Sequence, residues 1–487
     1  MAFRQYDMAG LVGLDQALKG PTANAEWARL DAIYRDTDRD ETLKTLARLG
    51  QGIGGNPRPV MVQLLRRIID RRAGLYHKAP SRFLLTSAGK RLAESGSEHK
   101  AMAAALKRSQ YDLFWREVDT TLALMFNVVI RFYASDKSET VVPRIFAPHN
   151  VLREPDDTLP NDLDHDRRFA LKLSGNVFEY FERAGDAWTT ALVNRDGVPL
   201  PPEQQPFQET GGVIPYDLPA MILYDRYPAG QPWLEPSTSR AALHDMINAM
   251  VNDQWSITRA EAHSLKIVNT DNTSMVPKET GPGSVWVLPQ DAQVDVLSHQ
   301  PKLRESLESL ETTVRLQAIS EDLPASEFDK SKQIVTGSAR KIEEAPLRAR
   351  RDARRALAEH DERKAYSRYV QVHNYHGTGW SVKPLADRDL DIEYAPMSDP
   401  QDPETVQVAN EKGMALGTRS RVDAVQAEHD VGRPEAIRII ARVDQDLKDY
   451  PKPKSEDPSP FDNPEGAENL PDDQDMVQGP QLDPKEG

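Results

Sequence analysis

The apolar positions divide the chain into a helical first part, a strand-rich middle and a second helical part. Over residues 60–76, VMVQLLRRIIDRRAGLY has apolar residues at three- and four-residue steps and predicts a helix. Its inward-facing side chains would be Leu64, Leu65, Ile68 and Ile69. A second helix is predicted over 111–124. The segments NVVIRFYA, VVPRIFAP, FALKLS, NVFEYFER and AWTTALVN are short and separated by turn residues, so they predict one antiparallel sheet.

Two long amphipathic helices with a small β insert between them are predicted further along. The first covers residues 237–264 and would be about 42 Å long, and the second begins near Pro301, which the first helical turn tolerates. Apolar residues at helical spacing mark their packing faces: Leu243, Ile247, Met250, Ile257, Leu303, Leu307, Leu310 and Val314. These stripes are too long for one small domain, so we expect them to pack against copies of the chain. Such a contact closes into a ring if it is heterologous and the rotation closes.

The last third of the chain changes from a basic helix to an acidic tail. Residues 340–368 contain ten basic and six acidic residues and predict a long charged helix broken by Pro346. This helix is either a solvated face with ion pairs or a contact with nucleic acid or another subunit. A strand over 389–397 and two or three short helices over 402–450 follow. Residues 451–487 have a net charge of −7 and eight prolines, which predicts a disordered tail, either solubilising or a docking peptide.

Composition excludes several classes of protein. The 487 residues contain no cysteine, so disulfides, thiol catalysis and Cys-ligated metals are excluded. No apolar run reaches the roughly 20 residues of a membrane span, and the first residues lack a signal-peptide pattern. We therefore expect a soluble chain in a reducing cytoplasm. The net charge of −15 disfavours indiscriminate coating of nucleic acid.

Candidate catalytic motifs are weak. GQGIGGNP lacks the Lys-Ser/Thr ending of a phosphate-binding loop, and SAGKR lacks the upstream glycine. The cluster NDLDHDRR, with Asp162, Asp164 and Asp166, is interpreted as turn-forming rather than metal-binding. His373 and His376 are candidate metal ligands without a specific spacing; because they end a long helix, where cationic histidines suit the dipole, a structural role is expected instead. We predict no catalytic residue, no metal and no cofactor, and therefore not an enzyme.

Four segments, in order, resemble the portal proteins of tailed double-stranded DNA bacteriophages. They are GGVIPYDLPAMIL, STSRAALHDMINAMVNDQWSITRAEAHSLKI, TGSARKIEEAPL and NEKGMALGTRSRVDAVQAEHDVGRPEAIRIIARV. The resemblance covers about residues 60–450. The chain departs from the family pattern in one place: the family often has Ser-Gly-x-Ala, whereas this chain has Thr336, Gly337, Ser338 and Ala339.

The resemblance implies an α+β portal fold that assembles into a ring-shaped homo-oligomer, usually of 12 subunits. Its parts would be an α/β wing, a two-helix stem, a small β-containing clip, a kinked long helix with a tunnel loop, and a helical crown. The implied boundaries are wing 1–236, first stem helix 237–264, clip 265–300, second stem helix 301–323, tunnel loop 324–335, long helix 336–388, wing end and crown 389–450, and tail 451–487.

By the same resemblance, the ring is a DNA conduit at a capsid vertex of the virion, assembled in the host cytoplasm. It would nucleate the procapsid, package the genome and attach the tail for ejection. Its implied partners are double-stranded DNA, the terminase large subunit, a head-completion, adaptor or tail protein, and the major capsid and scaffolding proteins, with no membrane. The DNA-channel residues would be Lys330, Lys332 and Gln333, and the terminase-docking residues Asp271, Lys278, Glu279 and Trp286.

In a ring, Lys330 and Lys332 of all the copies would together form a collar of positive charge around the channel. Such a collar fits a physical requirement of DNA sliding. Many tight Lys or Arg contacts would hold a duplex strongly, whereas an acidic channel with few basic points keeps the phosphates mobile. Lys330 and Lys332 are alternatively ordinary solvated loop lysines, and Trp286 is alternatively a core residue. Two other functions stay open: a metal-dependent nucleic-acid enzyme using the DLDHD carboxylates, and a scaffold or adaptor protein without a channel.

Overall fold

The computed structural model describes most of the chain before residue 450. The described residues are 5–20, 22–48, 60–201, 212–262, 266–269, 285–288, 303–328, 342–381, 383–395, 403–429 and 433–449. They form two units, residues 1–400 and residues 401–487. Helices and mainly antiparallel strands are both abundant, so the protein has a mixed α+β structure.

The first 125 residues are mostly helical, as predicted. The helices are α1 (Met8–Lys19), α2 (Ala23–Tyr34), α3 (Arg39–Arg48), α4 (Leu64–Arg72), α5 (Ser97–Arg108) and α6 (Tyr111–Met125), with strand β1 (Ser81–Leu84) between α4 and α5. Helix α4 is shorter than predicted, but Leu65, Ile68 and Ile69 are buried and Leu64 is half-buried. Helix α6 ends at Phe126, which has a positive φ of 65° and donates its backbone N–H to Leu122.

The predicted strands form two sheets, so the prediction of one sheet is wrong. A three-stranded sheet has the order β3 (Thr140–Phe146), β2 (Asn127–Ser135), β9 (Ala220–Tyr224). A five-stranded sheet has the order β4 (Val151–Glu154), β5 (Arg168–Ser174), β6 (Val177–Ala184), β7 (Ala187–Asn194), β8 (Gly212–Ile214). A short 3-10 turn at Pro148–Asn150 separates β3 from β4. The free edge of β2 then pairs with β9, a distant partner that local alternation does not reveal.

Strand β2 separates the two main apolar cores. Val128, Ile130 and Phe132 face the core formed with α5 and α6, whereas Val129 and Tyr133 face the core that holds β5, β6 and β7. Successive strand residues point to opposite faces, so a strand covered on both sides is apolar at nearly every position. This accounts for the continuous apolar run NVVIRFYA.

Two long helices follow β9. They are α7 (Thr238–Ala262) and α8 (Leu303–Ser320), and both lie inside the predicted ranges. Of the chain between them, the structure describes strands β10 (Lys266–Asn269) and β11 (Val285–Leu288), which pair in parallel. The segment AQVDVLSH, between β11 and α8, lies outside the described residues.

Most of the basic segment lies in a long helix, α9 (Ala345–His376). The helix is interrupted beside Pro346, as predicted: residues 342–343 are helical, Glu344 is in a turn, and α9 begins at Ala345. Pro346 lies in the first turn, where its missing N–H has no helical partner to lose. Helix α9 packs on β2 through Tyr366, Tyr369 and Val370, and strand β12 (Leu390–Glu393) then pairs antiparallel with β1.

The second unit contains the short helices predicted before the tail. They are α10 (Pro403–Ala415), α11 (Arg421–His429) and α12 (Arg433–Asp449). Ser420 and Asp423 begin α11 with a capping box, because each accepts the other's backbone N–H, at 3.1 Å and 2.9 Å. Helices α11 and α12 contact each other along their lengths.

Candidate functional site

Helices α7 and α8 form an antiparallel pair. Gln254 Nε2 donates to Ser306 Oγ at 3.2 Å, and Arg240 at the start of α7 meets Glu321 just after the end of α8. These two contacts are about 21 Å apart along α7. The β10–β11 pair lies in the connection between the two helices in the sequence.

The pair carries exposed apolar side chains that no described residue covers. Five of them are between 42% and 63% exposed: Met246, Trp255, Leu307, Leu316 and Ile319. Ile247 and Ala318, on the same two helices, are buried. Nine residues separate Met246 from Trp255 and Leu307 from Leu316, which places the members of each pair on opposite faces of their helix. Several large exposed apolar residues on one helix pair nevertheless favour a protein-protein contact.

The predicted packing residues are distributed over this pair with different exposures. Ile247 is buried and Leu307 is exposed. The half-buried residues are Leu243, Met250, Leu310 and Val314. Ile257 and Leu303 lie in the helices, but their side chains lie outside the description.

The base of the pair is held by a buried arginine, which the sequence analysis did not single out. Arg240 is 1% exposed and donates from Nε and Nη2 to the Glu321 carboxylate, both at 2.7 Å. Its Nη1 donates to the backbone oxygens of Ala123 and Leu124, at 2.8 Å and 2.6 Å. The guanidinium also lies 4.6 Å from the Phe126 ring centroid. Arg240 therefore joins α7, the end of α8 and the end of α6.

A second carboxylate extends this junction to α4 and α9. Asp225 pairs with Arg350 at 2.6 Å and with Arg72 at 3.3 Å, and Arg72 also donates to Glu321. Burial alone would raise the pKa of Asp225, but the surrounding arginines, Arg350 first, hold it below its usual value. We call Arg72, Asp225, Arg240, Glu321 and Arg350 the arginine junction. It fixes where α7 and α8 leave the body of the protein.

The DLDHD segment forms ion pairs rather than an open carboxylate cluster. Asp162 caps the 3-10 turn Leu163–His165 and pairs with Lys364 at 3.1 Å. Asp164 pairs with Lys364 at 2.9 Å and with Arg368. Asp166 is fully buried against Arg153, at 2.7 Å and 2.8 Å, and burial raises its pKa to about 6. Within the part of the chain that the structure describes, no group of three metal-ligating side chains occurs.

His373 has the expected structural role at the end of α9, but its surroundings do not favour the cationic form. His373 is buried between Tyr369 and Trp380, and burial lowers its pKa, which favours the neutral ring. His376 lies 3.1 Å from the Tyr216 hydroxyl. Both histidines therefore take part in aromatic packing.

The basic face of α9 is largely paired within the chain. Arg348 pairs with Glu344 one turn earlier, at 3.1 Å. Arg350 and Arg368 reach carboxylates on other elements, Asp225 and Asp164. The ion-pair interpretation thus describes these arginines, and several pairs join α9 to distant parts of the sequence.

The predicted tunnel-loop and clip side chains lie outside the described residues. They are Lys330, Lys332, Gln333, Asp271, Lys278 and Glu279. Trp286 lies in β11, where its backbone is opposite Ile267, and its side chain lies outside the description.

Two broader findings bear on the class of protein. Among the described helices, none has the length and apolar character needed to cross a bilayer. The chain matches no model of a known protein family and no curated protein sequence.

Proposed function

We propose that this protein is a portal-type subunit, and that a ring of its copies forms a DNA conduit at a phage capsid vertex. The observation that carries the proposal is the antiparallel α7–α8 pair, which is anchored at its base and carries large exposed apolar side chains. The four portal-like segments are the second support. In this proposal α7 and α8 are the stem, and β10 and β11 belong to the clip.

The exposed side chains of α7 and α8 support self-association. Trp255, Leu316 and Ile319 each have more than half of their surface exposed. Covering apolar surface gains roughly 25 cal/mol per Å² of area removed from water. A neighbouring copy offers the same surface at every step around a closed ring, so a single pair of complementary faces assembles all the subunits.

The anchoring of the helices suits a channel wall. The arginine junction joins α7 and α8 to α4, α6 and α9, so the helices leave the body at a fixed angle. A ring closes only if each subunit repeats the same rotation, and buried ion pairs with several hydrogen bonds favour one geometry. In this proposal, the arginine junction positions the two stem helices.

The proposed channel contacts and partners follow the family resemblance. Lys330, Lys332 and Gln333 would line the channel between α8 and α9, and Asp271, Lys278, Glu279 and Trp286 would dock the terminase large subunit. Replacing Lys330 and Lys332 with Glu is expected to impair packaging or retention of DNA in an otherwise complete phage assembly system. Normal packaging by that variant would remove the lysine contacts from the proposal.

The decisive experiment is negative-stain electron microscopy of the purified full chain, with mass photometry of the same sample. We expect rings with an axial hole and a mass near 12 copies of the 54.6 kDa chain. A homogeneous monomer or dimer at micromolar concentration would contradict the proposal. Oligomers without a central hole would favour a scaffold or adaptor protein.

A further inference from the structure

A cavity of about 290 Å³ lies beside the arginine junction, between α4, α6 and the beginning of α9. Five arginines line it: Arg71, Arg72, Arg350, Arg351 and Arg354. The carboxylates that line it are Asp119, Asp225 and Glu344. Among the described residues of the lining, the formal positive charges therefore exceed the negative ones by two.

The buried arginines of this cavity have unused donors. Arg354 is 8% exposed, and its Nε and Nη1 donate to no described residue. Its Nη1 forms an ion pair with Asp361, but the distance of 3.7 Å to Oδ2 is beyond hydrogen-bond distance. The Arg72 Nε is also buried and donates to no described residue. A buried donor without an acceptor is unfavourable unless another group supplies one.

The pKa values of these arginines show the effects of burial and of neighbouring positive charges. Burial, together with neighbouring Arg350, lowers the pKa of Arg72 to about 10, although Asp225 opposes the shift. Burial also lowers the pKa of Arg351, whose Nη2 donates to the Ala395 backbone oxygen at 2.9 Å. An anion in the cavity would relieve this repulsion and supply the missing acceptors.

We propose that this cavity binds a small free phosphate compound, of the size of inorganic phosphate or pyrophosphate. Guanidinium groups match phosphate oxygens in geometry and charge. The volume lies at the lower end of the range of about 300–1,000 Å³ typical of small-molecule sites, which suits such an anion with some water. The first turn of α9, which begins beside Glu344, adds a favourable helix dipole.

This inference does not rest on the proposed ring, because the cavity is formed within one chain. The test is isothermal titration calorimetry of the full chain with sodium phosphate and sodium pyrophosphate, against sodium chloride of equal ionic strength. We expect saturable binding of one anion per chain and a rise in Tm with either phosphate compound. Heat no larger than that of the chloride titration would overturn the proposal.

Variants then assign the binding to the cavity. Arg71→Gln removes an exposed member of the lining and is expected to weaken binding about tenfold or more. Glu344→Gln removes a repelling charge and is expected to tighten it. Arg304→Gln, on a side chain that is 90% exposed on α8, is the matched control and should leave the affinity unchanged.

Arg354→Gln should reduce binding most, and circular dichroism would verify that this variant is folded. Equal affinity in Arg71→Gln, Glu344→Gln and Arg304→Gln would place the anion elsewhere and overturn the inference. The ring proposal is judged separately by electron microscopy, so the failure of one leaves the other testable.

Discussion

The base and the exposed surface of the α7–α8 pair use opposite kinds of interaction. At the base, Arg240 and Glu321 are buried and fully engaged in ion pairs and hydrogen bonds. On the surface, Leu316 and Ile319 have no described neighbour that covers them. A buried ion pair depends on directed contacts and therefore fixes orientation, whereas apolar contact is not directional and accepts a partner surface of matching shape. The base therefore belongs to the fold, and the exposed side chains are where the proposed contact between copies would form.

The largest effect on stability is expected at the base. Glu321→Ala leaves Arg240 and Arg72 without their shared carboxylate, and removing one partner of a buried pair costs about 3–5 kcal/mol. Denaturant unfolding of the full chain measures this loss. The control is Glu308→Ala, an exposed partner of Arg304, for which the expected loss is below about 1 kcal/mol. Similar losses of unfolding free energy in the two variants would show that the buried pair at the base contributes no more than an exposed pair.

A smaller, pH-dependent effect is expected at Asp225. Because its folded-state pKa lies below its usual value, its ionised form stabilises the fold above the unfolded pKa of about 3.9. That contribution is lost as the pH falls through the lower, folded-state pKa. The free energy of unfolding of wild type and Asp225→Asn should therefore differ at pH 7 and converge at acid pH. A difference that stays constant from pH 7 to pH 3 would contradict this assignment.

The smallest effect on stability is expected on the exposed surface, together with a loss of assembly. Leu316→Glu with Ile319→Glu should change the unfolding free energy of the isolated subunit by about 0.5 kcal/mol or less per site, because both side chains are exposed. Mass photometry should show subunits instead of rings, since the charges would be buried at the contact. Leu113→Glu, equally exposed at 61% but on α6, is the matched control and should still assemble. Rings formed by the double variant would remove this surface from the proposed contact.

Local patterns predicted the helices and strands well, but they did not predict which distant segments pair with each other. Leu65, Ile68 and Ile69 were predicted to face inward from their spacing, and they are buried. The division into two sheets was missed because β9 joins β2 from far along the chain. Pro346 was interpreted as a break, and the turn at Glu344 followed by the start of α9 at Ala345 agrees with it, because proline is tolerated only in the first helical turn.

The sequence by itself determined the helices, most strands, the apolar stripes of α7 and α8 and the absence of thiol chemistry. These properties depend on neighbours within a few residues or on composition alone. The tertiary structure alone decided which charges meet. Arg240 and Glu321, Arg350 and Asp225, and Arg368 and Asp164 are far apart in the chain, and an isolated charged residue shows no sign of its partner. Burial then sets how much each ion pair matters for stability, because the attraction between two charges is weak in water and strong in the protein interior.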